Sequence, residues 1–373
     1  MTNEIGGEFW QEEVGCEPNN YFTRFDGDFR FTISGRIAIY VVLNEVKINN
    51  NVEVKTKAKV AYLPVYCCES MIKPFLDFGY EVAFYDVTID FNPVLDMSKL
   101  EQSGVLVICD YFGFPCAKLN DKTRDVCLEH GVIIIHDITM SLFTTQAFCG
   151  CDYLIGSHRK WMGVPSGGFA VSMRGIFKGE LGECDMQYVN IRRKALALKA
   201  KYASNPTSEV KEDFLHAFAE AEDMLEAVHQ NIQDNKDNKD NRYSASDPES
   251  IKYVKHYNYK DLITQRRSNY FALAKGFSRF NKVRTVFTSP EESVCPMFFV
   301  IYTDDRDKYR QHLISNGIYP PVHWPHTGSH EYTPAACEIN KTILSIPCDQ
   351  RYSTSDMERI ISVSESYFDE MTG

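Results

Sequence analysis

Two short, unbroken apolar runs, Val105–Cys109 and Val132–Ile135, constrain the fold of this chain more than any other feature. A strand with one wet face alternates apolar and polar residues. A run without alternation, flanked by Gly or Asp, suits a strand buried on both faces. Similar runs recur at Val60–Leu63, Glu81–Tyr85 and Tyr153-Leu154-Ile155. Between them lie helical patterns. Ser34-Gly35 precedes Ile37, Ala38, Val41, Val42 and Val46, so Ser34 is a candidate N-cap, and Met71–Phe78 reads as a further helix. Buried strands interleaved with helices predict an α/β fold with a mostly parallel central sheet and helices on both faces.

Residues 190–232 carry apolar side chains at three- and four-residue spacing in Ala195–Ala203 and Phe214–Val228, the pattern of one or two long helices. The Asn/Asp/Lys repeat at 234–241 has no apolar member and reads as a solvated loop. A helix at Tyr259–Phe277, short runs at Met297–Tyr302 and a last helix near Ser355–Phe368 predict a smaller α+β unit. The expected division is an N-terminal arm (1–30), a large α/β domain (31–233), a polar loop (234–247) and a small C-terminal domain (248–373).

With 44% apolar and 24% charged residues, the composition is that of an ordinary globular protein. The net charge of −11 argues against nucleic acid or anionic membrane as the main partner, so an anionic substrate must meet local positive charge. Met1–Glu13 lacks the apolar core of a signal peptide, and no run approaches the ~18 apolar residues of a membrane span. Neither Cys67-Cys68 nor Cys149/Cys151 has C-x-x-C spacing, so the 12 cysteines read as a reduced, cytoplasmic set with no metal site.

Lys160 follows Tyr153-Leu154-Ile155 in the run Gly156-Ser157-His158-Arg159-Lys160-Trp161, ahead of Ser166-Gly167-Gly168. An amine near a strand's carboxyl end, three residues after a hydroxyl, is what pyridoxal 5'-phosphate (PLP) chemistry requires. The amine forms a Schiff base, and the hydroxyl reaches the phosphate. Asp137 ends an earlier strand, where a carboxylate can keep a pyridine nitrogen protonated. Ser34-Gly35-Arg36 opens a helix, and helix N-termini bind phosphate. Singly these are a surface lysine, a turn aspartate and an ordinary helix start; their order along the chain gives them weight.

Most of the chain resembles the fold-type I PLP enzymes of the DegT/DnrJ/EryC1/StrS sugar aminotransferase family. The resemblance rests on Ser34–Ala38, Leu63–Tyr66, Tyr80–Asp86, Tyr111–Pro115, His136–Thr139, Asp152–Gly168, Tyr319–Trp324 and Leu344–Tyr352. It implies that Lys160 is the Schiff-base lysine, that Asp137 pairs with the pyridinium, and that Ser157, Gly35 and Arg36 hold the phosphate. It further implies a homodimer with shared active sites. Five positions depart from the family pattern. His136 replaces a usual Glu, Asp110 a usual His, and Ser166 an acidic residue before the paired glycines. Met140 replaces a Gln or His against the cofactor's ring oxygen, and Cys68 stands where a ring-stacking aromatic is common.

By the same resemblance, Lys160 moves a proton while nitrogen passes from glutamate to a keto-sugar, usually nucleotide-linked, in polysaccharide or glycoconjugate assembly. Tyr319 and His323 fall where the family closes over its substrate, although His323 beside Trp324 equally suits packing. Arg192, Arg193, Arg266 and Arg267 are candidates for diphosphate or carboxylate contact, with solvated helix faces as the competing reading. Two alternatives stay open: another PLP reaction on the same fold, such as elimination or dehydration, or a non-catalytic relative. Lysine at 160 speaks against the sugar dehydratase branch, where His replaces it.

Overall fold

The computed structural model describes residues 4–53, 59–146, 148, 150–234, 243–326, 328 and 330–370. Their apolar runs form an eight-stranded sheet. In chain order its strands are β1 (Asp28–Thr32), β2 (Val60–Pro64), β3 (Glu81–Val87), β4 (Pro93–Val94), β5 (Val105–Cys109), β6 (Ile133–Asp137), β7 (Tyr153–Ser157) and β8 (Gly168–Ser172). In space they run β1-β8-β7-β6-β5-β2-β3-β4, with β7, β6, β5, β2 and β3 parallel. β8 runs against both β7 and β1, and β4 against β3. Every residue of β5, β7 and β8 is buried, as their lack of alternation requires.

Helices α1 (Gly35–Glu53), α2 (Glu69–Asp77) and α3 (Asp121–His130) return the chain between successive strands. Ser34 caps α1, its hydroxyl accepting from the Ile37 amide at 3.3 Å. From β2 the chain steps outward to β3 and β4, then returns to β5 on the other side of β2 and continues to β6 and β7. At such a reversal the carboxyl ends of neighbouring strands open a crevice. The segments beginning at Val65, Asp110, Ile138 and His158 leave the sheet at this edge.

The stretch from 190 to 232 forms two helices, α4 (Met186–Ser204) and α5 (Ser208–Asp234), packed through Leu196, Tyr202, Phe214 and Phe218. Asp234 ends α5, and the rest of the Asn/Asp/Lys repeat lies outside the described residues. A three-stranded antiparallel sheet of Arg284–Thr285, Phe298–Tyr302 and Ile343–Pro347 follows, with helices Tyr259–Phe277 and Thr354–Glu370 packed together beside it. Among the described residues, no helix is long and apolar enough to cross a membrane.

Gly168 explains why the paired glycines carry so much signal. A Cβ there would lie 2.1 Å from the Ser34 carbonyl carbon and oxygen, so the turn into α1 rests directly on β8. The ten residues from 158 to 167 join β7 to β8 and carry Lys160. His158 anchors them. It is fully buried, its Nδ1–H donates to the Gly167 carbonyl at 3.0 Å, and Phe22, Phe31 and Phe169 surround the ring. A carbonyl only accepts, so Nε2 is the bare nitrogen, and it is buried without a partner. Burial lowers the pKa of His158 to about 4.

Two outcomes follow from this packing. Gly168→Ala must push Ser34 off the strand, a loss of about 1–3 kcal/mol measurable by urea unfolding. For His158, the unfolded chain takes up a proton below about pH 6.5 that the folded chain refuses until about pH 4. Stability therefore falls as pH drops through that window, by about 2 kcal/mol between pH 7 and 5 from this residue. In His158→Gln that part of the slope should vanish; an unchanged difference between unfolding midpoints at the two pH values would refute the assignment.

Candidate active site

Asp137 is the last residue of β6 and Ser157 the last of the adjacent β7, with Asp137 in register with Ile155. Lys160 closes the tight turn His158–Lys160 immediately afterwards and is exposed. Thr139 joins these two strand ends. Its amide donates to Asp137 Oδ1 at 2.8 Å, and its carbonyl accepts from Trp161 Nε1 at 2.7 Å. Trp161 is wholly buried, with the Arg266 guanidinium 4.5 Å from its ring. The carboxylate and the lysine loop are thus held by the two peptide groups that flank one residue, Thr139.

Burial raises the Asp137 carboxyl above its ordinary pKa, while Thr139 and His136 pull it down. A basic ring nitrogen brought to that carboxyl would relieve the desolvation by sharing its proton. At the other end, Gly35 presses on β7: a Cβ there would meet Ser157 Cβ at 3.4 Å. The Ser157 hydroxyl does not cap its own turn. The first-turn amides of α1 have no acceptor within the helix, and they carry the positive end of its dipole. Amides plus hydroxyl suit a phosphate, the carboxyl suits a pyridine nitrogen, and the amine suits a carbonyl carbon, which together are the three handles of PLP.

The Arg36 side chain is turned away from that cradle and pairs with Glu226 of α5 at 2.8 Å. Glu222 of α5 takes Arg159 at 2.7 Å and Arg192 at 2.6 Å, and His229 meets the Ser34 hydroxyl at 3.1 Å. Glu8 of the N-terminal segment also pairs with Arg192, at 2.9 Å. Burial opposes the charge on Glu8, yet Arg192, Arg159, Lys160 and Arg351 keep its pKa low. Spacing of Glu222, Glu226 and His229 on one helical face was a legible signal; their partners were not.

The remaining arginines are structural. Arg266 is buried and donates to the carbonyls of Pro296 and Met297 and to Gln350, which rules out a solvated face for it. Arg267 donates to the Glu291 and Val294 carbonyls, and Arg193 pairs with Asp247 and Glu249. Tyr319 donates to Glu4 at 3.2 Å, with Lys211 over its ring. His323 is bonded to the Ser345 hydroxyl at 2.9 Å, and burial, with the Lys160 charge adding, pushes it down to about 3. It is therefore neutral near pH 7. Met140 is buried in the turn after Asp137, and Cys68 sits at the start of α2 without capping it.

Two departures noted in the sequence turn out to be one. His136 Nε2 and Asp110 Oδ2 are 3.0 Å apart and buried, so the acid and the imidazole have traded places across adjacent strands. Ser166 is compensated too. Its hydroxyl donates to Asp247 Oδ2 at 2.7 Å, which restores a buried carboxylate from elsewhere in the chain. Asp247 is recognisable in sequence as a helix N-cap before Pro248, but its link to Ser166 is not.

No family model and no curated protein sequence matches the chain. Solved structures do. The putative sugar aminotransferase Spr1654 of Streptococcus pneumoniae superposes with a TM-score of 0.62 at 13% identity, covering 97% of this chain and 99% of that one. PseC of Helicobacter pylori, an aminotransferase of pseudoaminic acid biosynthesis, gives 0.61 at 11% identity, covering 97% and 100%. A DegT DnrJ EryC1 StrS aminotransferase from Brucella abortus gives 0.60 at 12% identity, covering 93% and 87%. The chain therefore has the fold of these sugar aminotransferases over nearly its whole length.

Proposed function

We propose that this chain is a PLP-dependent aminotransferase that transfers an amino group from an amino acid, glutamate by family analogy, to a keto-sugar. The observation that carries the reading is Thr139 bonding Asp137 on one side and the Lys160 loop on the other. An adventitious lysine on a loop has no reason to be tied to a buried strand-end acid. Among the structural neighbours, Spr1654 is described in PLP and PMP forms and DesI with its TDP-sugar product, which supports a nucleotide-linked acceptor. A role in polysaccharide or glycoconjugate assembly, a cytoplasmic homodimer, and a division into large and small domains belong to the same proposal.

Bound PLP would supply an electron sink for the carbanion formed at the donor's α-carbon. The chain's own residues do the rest. Ser157 and the amides of Gly35 and Arg36 would hold the phosphate, and Asp137 would keep a proton on the ring nitrogen. The Lys160 amine would anchor the cofactor and, when free, would take the proton from the donor's α-carbon. Met140 offers no hydrogen bond to the ring oxygen, so electronic control falls on Asp137 alone. His323, being neutral, orients a hydroxyl of the acceptor and does not neutralise a phosphate.

Two measurements test this. Protein incubated with PLP and reduced with borohydride should carry the adduct on Lys160 by peptide mass spectrometry, and Lys160→Ala should carry none. Adduct spread over surface lysines would defeat the proposal. Asp137→Ala should still fold, yet lose about 100-fold or more in the rate at which glutamate bleaches the visible band; a rate within threefold of the wild type would remove Asp137 from the mechanism.

A further inference from the structure

The Asp110 carboxylate, just beyond β5, is 2% exposed and accepts four hydrogen bonds. The Ala117 amide reaches Oδ1 at 3.1 Å. His136 Nε2 at 3.0 Å, Ser141 Oγ at 2.6 Å and Gln146 Nε2 at 2.6 Å all reach Oδ2. Burial works against its charge, but His136, Ser141 and Gln146 hold its pKa below the ordinary carboxylate value. An ionised acid with this many donors is a fixed post, not a titrating group.

The post stands behind the site. Successive strand residues face opposite sides, so His136 and Asp137 diverge: His136 toward Asp110, Asp137 toward Cys67 and Cys109. The Asp110 amide also donates to the Asp137 carbonyl at 3.2 Å. Ser141, held by Asp110, closes the turn from Ile138, its amide donating to the Ile138 carbonyl at 3.0 Å. That turn contains Thr139, the residue that touches both Asp137 and Trp161.

We infer that Asp110 and His136 form a positioning pair: they lock the 138–141 turn and, through Thr139, aim the Asp137 carboxylate and the Lys160 loop at one bound PLP. The inference rests on the PLP reading above. Neither residue is among those that would hold the cofactor. The resembling family usually carries the imidazole at the position of Asp110 and the acid at that of His136. In this chain the imidazole stands on β6 and the acid just beyond β5, and the two meet at 3.0 Å.

Exchange makes the pair testable by reversal. Asp110→His leaves two imidazoles face to face, His136→Glu leaves two carboxylates, and the double variant restores one of each. PLP titration followed by absorbance should show each single variant about tenfold or more weaker in affinity, with the double variant within about threefold of the wild type. The pH midpoint of the visible band should shift in the single variants and return in the double. Asp110→Asn keeps the shape and removes the charge, so it covers the case in which the bulkier single variants fail to fold. It should shift the same midpoint. A folded Asp110→Asn with unaltered affinity and midpoint overturns the inference, as does a double variant no better than the worse single. If the wild type itself takes up no PLP, the cofactor reading is what fails. The pair is then judged on unliganded melting temperatures, where the double variant must regain what the single variants lose.

Discussion

One residue, Thr139, sets the geometry on which the candidate site depends. Its amide and carbonyl point in opposite directions, to Asp137 and to the buried indole of Trp161. Side chains that meet only through solvent lose orientation to entropy; two groups bonded to the adjoining planar peptide groups of one residue share a single short tether. The sheet alone would not achieve this. It brings β6 and β7 into register but leaves the chain beyond Asp137 and Ser157 free to diverge. Trp161 closes that freedom because an indole N–H buried in the core must find an acceptor, and the Thr139 carbonyl is the one it finds.

Backbone approach is the second constraint. Gly168 lets the turn at Ser34 lie on β8, and Gly163 does the same for the Trp10 carbonyl of the N-terminal segment, 2.1 Å from where a Cβ would be. Both glycines belong to the stretch Asp152–Gly168 on which the family resemblance leans most. No side chain can be accommodated at either position without moving the crossing backbone. The strand-end acid, the lysine and these glycines were therefore legible in the chain as written. So was the sheet, since strands buried on both faces announce themselves without alternation. The helix at Tyr259–Phe277 was legible for a related reason: its spacing is helical and Asn258 caps it.

What was not legible is how polar groups in the core satisfy one another. From sequence, His136 and Asp110 were two separate departures, and Ser166 a third. The contacts that explain them span 26 residues in one case and 81 in the other. Nothing local marks such partners, because a hydrogen-bond network has no period and its members come from whichever segments the fold places side by side. The arginines failed for the same reason. A pair such as Arg266-Arg267 on a helix looks solvated by pattern, and only the tertiary fold shows carbonyls of the segment 291–297 waiting for it.

These two kinds of constraint differ in how they tolerate change. A glycine under a crossing backbone has one solution, and so has an amine that must bond covalently to its cofactor. A buried carboxylate has many, provided that its donors arrive together, because removing one partner strands the other while replacing both costs little. Asp110 with His136, and Ser166 with Asp247, are of the second kind: each buried carboxylate has its donors supplied from a distant segment of the chain. Met140 is different. Buried in the turn after Asp137, its thioether can itself offer no more than a weak acceptor. The positions to examine for altered specificity are thus those where a lost polar group has no substitute nearby.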